Sequence, residues 1–206
     1  PAALAMDSAR SASSADSPAH QVMPCEPIVG VLPVGTAATA LAFSNIQQSS
    51  NSRLLADDPA WGLRARTLAD RAYELTSFLV DVLKLSAVPN QFDGSVTYHD
   101  SCKGLRGLAI KRQPRDLLAR VPGLSLKEMS ECEECCGFGG AFSVKFGDVS
   151  TKIVDRKCDS IAAAGADALV GGDLGCLMNI EGRLRRRGDE TTRVLHIAEV
   201  LAGGEA

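Results

Sequence analysis

Gly165-Ala166-Asp167-Ala168-Leu169-Val170-Gly171-Gly172-Asp173-Leu174-Gly175-Cys176 is the stretch on which the fold turns. A glycine that stops a helix, a short apolar run suited to a buried strand, and a glycine-rich turn into a new helical pattern make one helix–strand–helix unit. Upstream, Val149, Ile153, Val154, Cys158 and Ile161 mark the apolar face of the helix that ends at Gly165. Downstream, Leu177, Ile180 and Leu184 line one side of the next helix, Val194 to Ile197 forms a further strand, and a short terminal helix runs through Leu201.

The same alternation extends backwards. Val96-Thr97-Tyr98-His99 reads as a strand ending in Asp100-Ser101-Cys102, and a helix starts near Pro114, a good first-turn residue, and stops before Pro122-Gly123. Leu124 to Met129 alternates as a second strand. Leu68, Ala72, Leu75, Leu79, Val82 and Leu83 recur at helical spacing, which predicts one long amphipathic helix over residues 60 to 85. Strands alternating with helices of this length imply an α/β fold, a parallel sheet with helices on both faces. Ligand sites in such sheets gather beyond the carboxyl ends of the strands.

Four cysteines fall at those ends. Thirty-two residues separate Cys102 from the pair Cys135-Cys136, and thirty-nine separate the pair from Cys176. Each follows an expected strand, so three loops on one sheet edge can gather four sulfurs that are far apart in sequence. The middle pair lies in Glu-Cys-Cys-Gly-Phe-Gly-Gly (134–140), where glycines let the backbone come close to the sulfurs and donate N–H groups to them. That pattern points to metal-cluster chemistry. A structural zinc needs the same thiolates and is the competing reading, although Cys132-Glu133-Glu134-Cys135 is a lone CxxC where zinc knuckles carry two. The same CxxC makes a poor redox couple, since two glutamates between its cysteines raise the thiol pKa. Cys132 reads as incidental, Cys158 as a core residue, and Cys25 has no neighbour of interest.

Composition narrows the rest. Seven cysteines in 206 residues, an odd count without regular short spacing, indicate reduced thiols and hence the cytoplasm rather than a disulfide framework. A net charge of -3 with mixed signs offers no basic field, so no nucleic-acid partner is expected. The uncharged run Ile28 to Phe43 is 16 residues long and broken by Gly30, Pro33 and Gly35, short of a membrane span. Residues 1–27 are rich in Ala and Ser without apolar period and read as a disordered tail; Ile28 to Leu32 would be a strand and Gly35 to Ala38 a weak helix. Arg183, Arg185, Arg186 and Arg187 end a helix, where cations offset the macrodipole. His99 and Asp100 precede Cys102 and could orient a ligand or fix a loop, and Lys145 could offset the charge of a thiolate-rich centre.

Tyr98-His99-Asp100-Ser101-Cys102, Glu134-Cys135-Cys136-Gly137-Phe138-Gly139-Gly140 and Gly172-Asp173-Leu174-Gly175-Cys176-Leu177 together resemble the cysteine-rich CCG domain of the heterodisulfide reductases, of the glycolate oxidase iron-sulfur subunit and of the lactate-utilisation iron-sulfur subunit. The resemblance covers roughly residues 54 to 203. It implies a Rossmann-like domain whose Cys102, Cys135, Cys136 and Cys176 hold a [4Fe-4S] cluster, with zinc as the alternative. It further implies an electron-transfer subunit working with other subunits of a complex that oxidises a 2-hydroxy acid such as L-lactate or glycolate. The runner-up is a zinc-bound or apo assembly module. Where the reductases carry a further cysteine, Asp173 stands here. The family carries two such modules, so 54–206 would be one of them and 28–53 a degenerate remnant of the other, as in a truncated or rearranged member. No nucleotide fingerprint accompanies them: Gly137-Phe138-Gly139-Gly140 lacks the last glycine of a dinucleotide loop.

Overall fold

The computed structural model describes residues 52–203. The tail and all but the end of the expected remnant, with the strand and weak helix placed there, lie outside the described residues. Within them, four parallel strands form one sheet in the order β2-β1-β3-β4: β1 (Gly94–His99), β2 (Leu124–Leu126), β3 (Ala168–Gly171) and β4 (Arg193–His196). The helices are α1 (Gly62–Ala69), α2 (Leu75–Ser77, continuing as a π turn over Phe78–Val82), α3 (Arg112–Leu118), α4 (Ala141–Lys145), α5 (Gly147–Ala164), α6 (Leu174–Arg186) and α7 (Ile197–Ala202).

Strand alternation splits the interior into two cores. Val96, Tyr98, Ala168 and Val170 point to one face and are buried with Val80, Leu117, Leu118, Ile197 and Val200, that is, under the π turn, α3 and α7. Leu169 points to the other face and is buried with Val154, Cys158 and Ile161 of α5 and Leu177, Ile180 and Leu184 of α6. Helices therefore cover both faces, as the sequence pattern requires. Ser95, Thr97 and His99, which alternation would allow to face water in an antiparallel sheet, are all buried as well.

Three expectations need correction. The helix read over 60 to 85 is two: α1 stops at Ala69, and Glu74 adopts an extended backbone and caps α2 by accepting from the N–H groups of Thr76 (2.9 Å) and Ser77 (3.1 Å). The apparent stripe across the break is no buried face, since Leu63 and Leu68 of α1 are exposed. The second strand ends at Leu126, three residues before Met129, which leaves the sheet to enter the α5–α6 core. Val149 stands on the exposed side of α5, while Val154, Cys158 and Ile161 hold its inner face.

Caps fix the chain at the carboxyl edge. Asp173 opens α6 by accepting from the N–H of Cys176 at 3.1 Å, and Gly165 closes α5 in the left-handed conformation. Pro114 sits in the first turn of α3, where no intrahelical donor is lost. His99, Gly171 and His196 are register partners, so β1, β3 and β4 end flush.

Candidate metal centre

Cys102 follows β1 by three residues and is exposed; Cys135 and Cys136 lie on the long connection after β2; Cys176 stands in the first turn of α6, one turn past β3. Cys136 and Cys176 are buried, with their Sγ atoms within 4.8 Å of each other. With His99 they form a compact group in which one ring nitrogen and the two Sγ atoms all lie within 4.8 Å of one another. Cys135 is partly buried, and Cys102 is close enough to act electrostatically on both Cys135 and Cys176. Of the four cysteines singled out in the sequence, Cys136 and Cys176 meet, together with His99; Cys135, next in sequence to Cys136, is partly buried, and Cys102 lies exposed on the loop after β1, neither belonging to that close group.

The loop between Cys136 and α5 is shaped to serve those sulfurs. The N–H of Gly137 donates to Cys135 Sγ at 3.3 Å and that of Phe138 to Cys136 Sγ at 3.5 Å. Gly137 takes a φ of +83°, and a Cβ there would stand 2.6 Å from the carbonyl oxygen of Ser150, so only glycine allows the turn. Ser150 donates from its hydroxyl to Gly137 O at 2.7 Å, and Asn179 from its amide to Cys136 O at 2.9 Å, tying the loop to α5 and α6.

Electrostatics separate the thiols. Hydrogen bonding from Cys176 holds the Cys136 thiol well below its ordinary value; burial opposes this, and the His99 ring and the Phe138 N–H assist it. Cys176 goes the other way, because its hydrogen bond to Cys136, burial and the charge on Cys136 all favour its protonated form. Its place at a helix N-terminus would favour a thiolate, but the neighbouring negative charge wins. Burial raises Cys135, with the Gly137 N–H working against it. A cation brought among these sulfurs would relieve both effects, which is how a thiolate site favours metal.

Two features go beyond the sequence reading: the partner of Asp100, already read as able to fix the loop, and a buried lysine. Asp100, almost wholly buried, receives both guanidinium nitrogens of Arg115 from α3 at 2.9 and 2.8 Å, and its N–H donates to Cys132 O at 3.0 Å. This joins the Cys102 loop to the stretch before Cys135, so Cys132 contributes a backbone carbonyl there. Burial works against the Arg115 charge, but Asp100 and Glu128 outweigh it. The second is Lys157 on α5, buried beneath the loop with its ammonium donating to Glu131 O. Burial lowers its pKa, while Cys132, Glu131, Glu134 and Cys136 resist that shift. Lys157 lies on the same helix face as Val154, Cys158 and Ile161, and a lysine on an apolar stripe was the available signal. Lys145, the residue read for that role, is exposed on α4. Of the arginine group, Arg183 pairs with Asp155 of α5 at 2.7 Å and Arg187 with Asp159 at 2.5 Å, so these two lock helices together.

A parallel α/β domain with thiols converging at the carboxyl edge of its sheet defines a class, the cysteine-rich domains, and the cysteine-rich domain family CCG matches residues 96–181. The chain is 51% identical to "Lactate utilization protein A" of Bacillus cytotoxicus over 145 residues, covering 70% of this chain and 60% of that one. It is 46% identical to the protein of the same name in Geobacillus sp. over 171 residues, 83% of this chain and 68% of that one. "Lactate utilization protein A 2" of Bacillus mycoides is 50% identical over 145 residues, 70% of this chain and 60% of that one. The chain belongs to the Lactate utilization protein A family. It spans about 60% of the length of the first of these relatives. The thiols and imidazole at its centre are a donor set suited to a thiophilic metal. No helix among the described residues is long and apolar enough to cross a membrane.

Proposed function

We propose that this chain is an iron-sulfur subunit that carries electrons in a system oxidising a 2-hydroxy acid, L-lactate to pyruvate, in the cytoplasm. The observation that supports this most is the meeting of Cys136 and Cys176 with His99 at the carboxyl edge of the sheet, in a chain whose relatives are named for lactate utilization. In this reading the four cysteines hold a [4Fe-4S] cluster, and the N–H groups of Gly137 and Phe138, already directed at Cys135 and Cys136, stabilise their negative sulfurs. Such a cluster supplies one-electron transfer. The chain's own residues position and shield: Asp100 and Arg115 fix the Cys102 loop, Lys157 places a positive charge under the Cys135-Cys136 loop, and Asp173 and Asn179 anchor the rest. The substrate's own chemistry falls to other subunits of the complex.

A second reading has its own support. Three donors within 4.8 Å can close on a single ion, as a structural zinc requires, and the chain would then be an assembly module without redox activity. Anaerobic purification followed by iron, sulfide and zinc analysis, with visible and EPR spectra, separates the two. Iron and acid-labile sulfide in about fourfold molar ratio to chain, with a reducible visible band, are expected; one stoichiometric zinc without sulfide would overturn the electron-transfer reading.

A further inference from the structure

His99 is 1% exposed, and neither Nδ1 nor Nε2 finds a hydrogen-bond partner among the described residues. A buried polar group left unmet destabilises the fold, and a neutral imidazole has both an N–H to donate and a lone pair to fill. Nearby groups that could have served it are engaged elsewhere. The Asp100 carboxylate takes Arg115, Asp173 takes the Cys176 N–H, and Lys157 is turned to Glu131 O. What His99 does face is sulfur: one of its nitrogens lies within 4.8 Å of both Cys136 Sγ and Cys176 Sγ.

We infer that His99 is a nitrogen ligand of the metal centre, binding beside Cys136 and Cys176, so that the site is mixed sulfur and nitrogen rather than all thiolate. The inference rests on the proposal that this site holds a metal. With metal–nitrogen bonds of about 2.0–2.1 Å and metal–thiolate bonds of about 2.3 Å, ligand atoms on one tetrahedral ion stand roughly 3.4–3.8 Å apart. Lying within 4.8 Å of one another, the three donors need contract by no more than about 1.4 Å, within the reach of side-chain torsions. Their scaffolding is stiff. His99 is the last residue of a central strand, paired in register with Gly171, and Cys176 is held in a capped helical turn. Cys136 is anchored through its carbonyl by Asn179. A ligand set carried on strand and helix rather than on loose chain is preorganised. Only one of Cys102 and Cys135, nearer the surface, is then needed to complete four ligands, so that His99 stands in place of one of the four cysteines. Replacing a thiolate by a neutral imidazole removes one negative charge from the centre and raises its reduction potential relative to an all-cysteine site.

The test uses the full chain, which has three histidines, His20, His99 and His196. It is produced with ¹⁵N-histidine, purified anaerobically, loaded with ferrous iron and sulfide, and reduced for pulsed EPR. A strong nitrogen hyperfine coupling that changes with the label is expected, lost in His99→Ala and kept in His196→Asn. If His99→Ala fails to fold, a strong coupling kept in both His196→Asn and His20→Asn assigns the nitrogen to His99, and its loss in either overturns the inference. A cluster that forms without a label-dependent coupling, or with only the weak coupling of a hydrogen-bonded ring, overturns the inference and leaves the cluster reading standing. If the chain takes zinc instead, the cluster reading fails, and X-ray absorption at the zinc edge decides on His99. A nitrogen shell lost in His99→Ala upholds the inference, and an all-sulfur shell overturns it. A chain that binds neither metal overturns both.

Discussion

The two faces of the sheet are built on different terms. Against one, Val96, Tyr98, Ala168 and Val170 meet Leu117, Leu118, Ile197 and Val200 in a core whose polar atoms are few. Against the other, three of the ten core residues are cysteines, a lysine is buried beside them, and Thr97 and His99 of the central strand keep unmet polar atoms. The first face fulfils the ordinary rule that apolar surface leaves water; the second departs from it wherever the chain nears the thiols. Such departures tend to collect where a protein binds something, and the contrast separates a half built on apolar packing from a half built around thiols.

Three substitutions test that contrast. Arg115→Ala leaves Asp100 buried without its cation at the junction of the two halves. It should cost about 3–5 kcal/mol in urea unfolding and loosen the Cys102 loop, so that metal content falls too. Leu118→Ala empties a fully buried position in the apolar core. A loss of about 2–5 kcal/mol is expected, with the metal-to-chain ratio of the folded protein unchanged; a fall in that ratio would mean that the two faces are not separable. Lys157→Met probes the site face in the opposite sense. Removing a buried charge should leave the metal-free chain as stable or raise it by about 1 kcal/mol, while the reduction potential of the loaded centre, measured by spectroscopic titration, moves negative.

The alternation of short apolar runs with helical periods was enough to read a parallel sheet covered on both faces, because β1, β3 and β4 and helices α5 and α6 are decided by local pattern. From that topology the sequence reading placed four cysteines at one edge, and the structure brings Cys136 and Cys176 of these together, with His99. The break between α1 and α2 was not legible, since Leu68 and Leu75 keep helical spacing across it, and only the Glu74 cap, a competition between side chain and backbone, ends the run. Lys157 and the Asp100–Arg115 pair were missed because their charges are neutralised by residues distant in sequence, information that spacing does not carry. His99 was noticed as a neighbour of Cys102, but its isolation from every hydrogen-bonding group depends on what α5 and α6 bring over it.

The flush ends of β1, β3 and β4 also bear on when the centre can exist. β1 finds its neighbour β3 only after some seventy residues of intervening chain, as the bond from Ser95 N–H to Asp167, 72 positions apart, records. Contacts of such long range form late and slowly. On the ribosome, Cys102 and the Cys135-Cys136 pair would emerge well before the segment that carries Cys176, and the pocket that protects them would close last. The Cys136–Cys176 pair therefore cannot form until the segment beyond β3 has been made, and any metal the site takes would bind only the finished sheet.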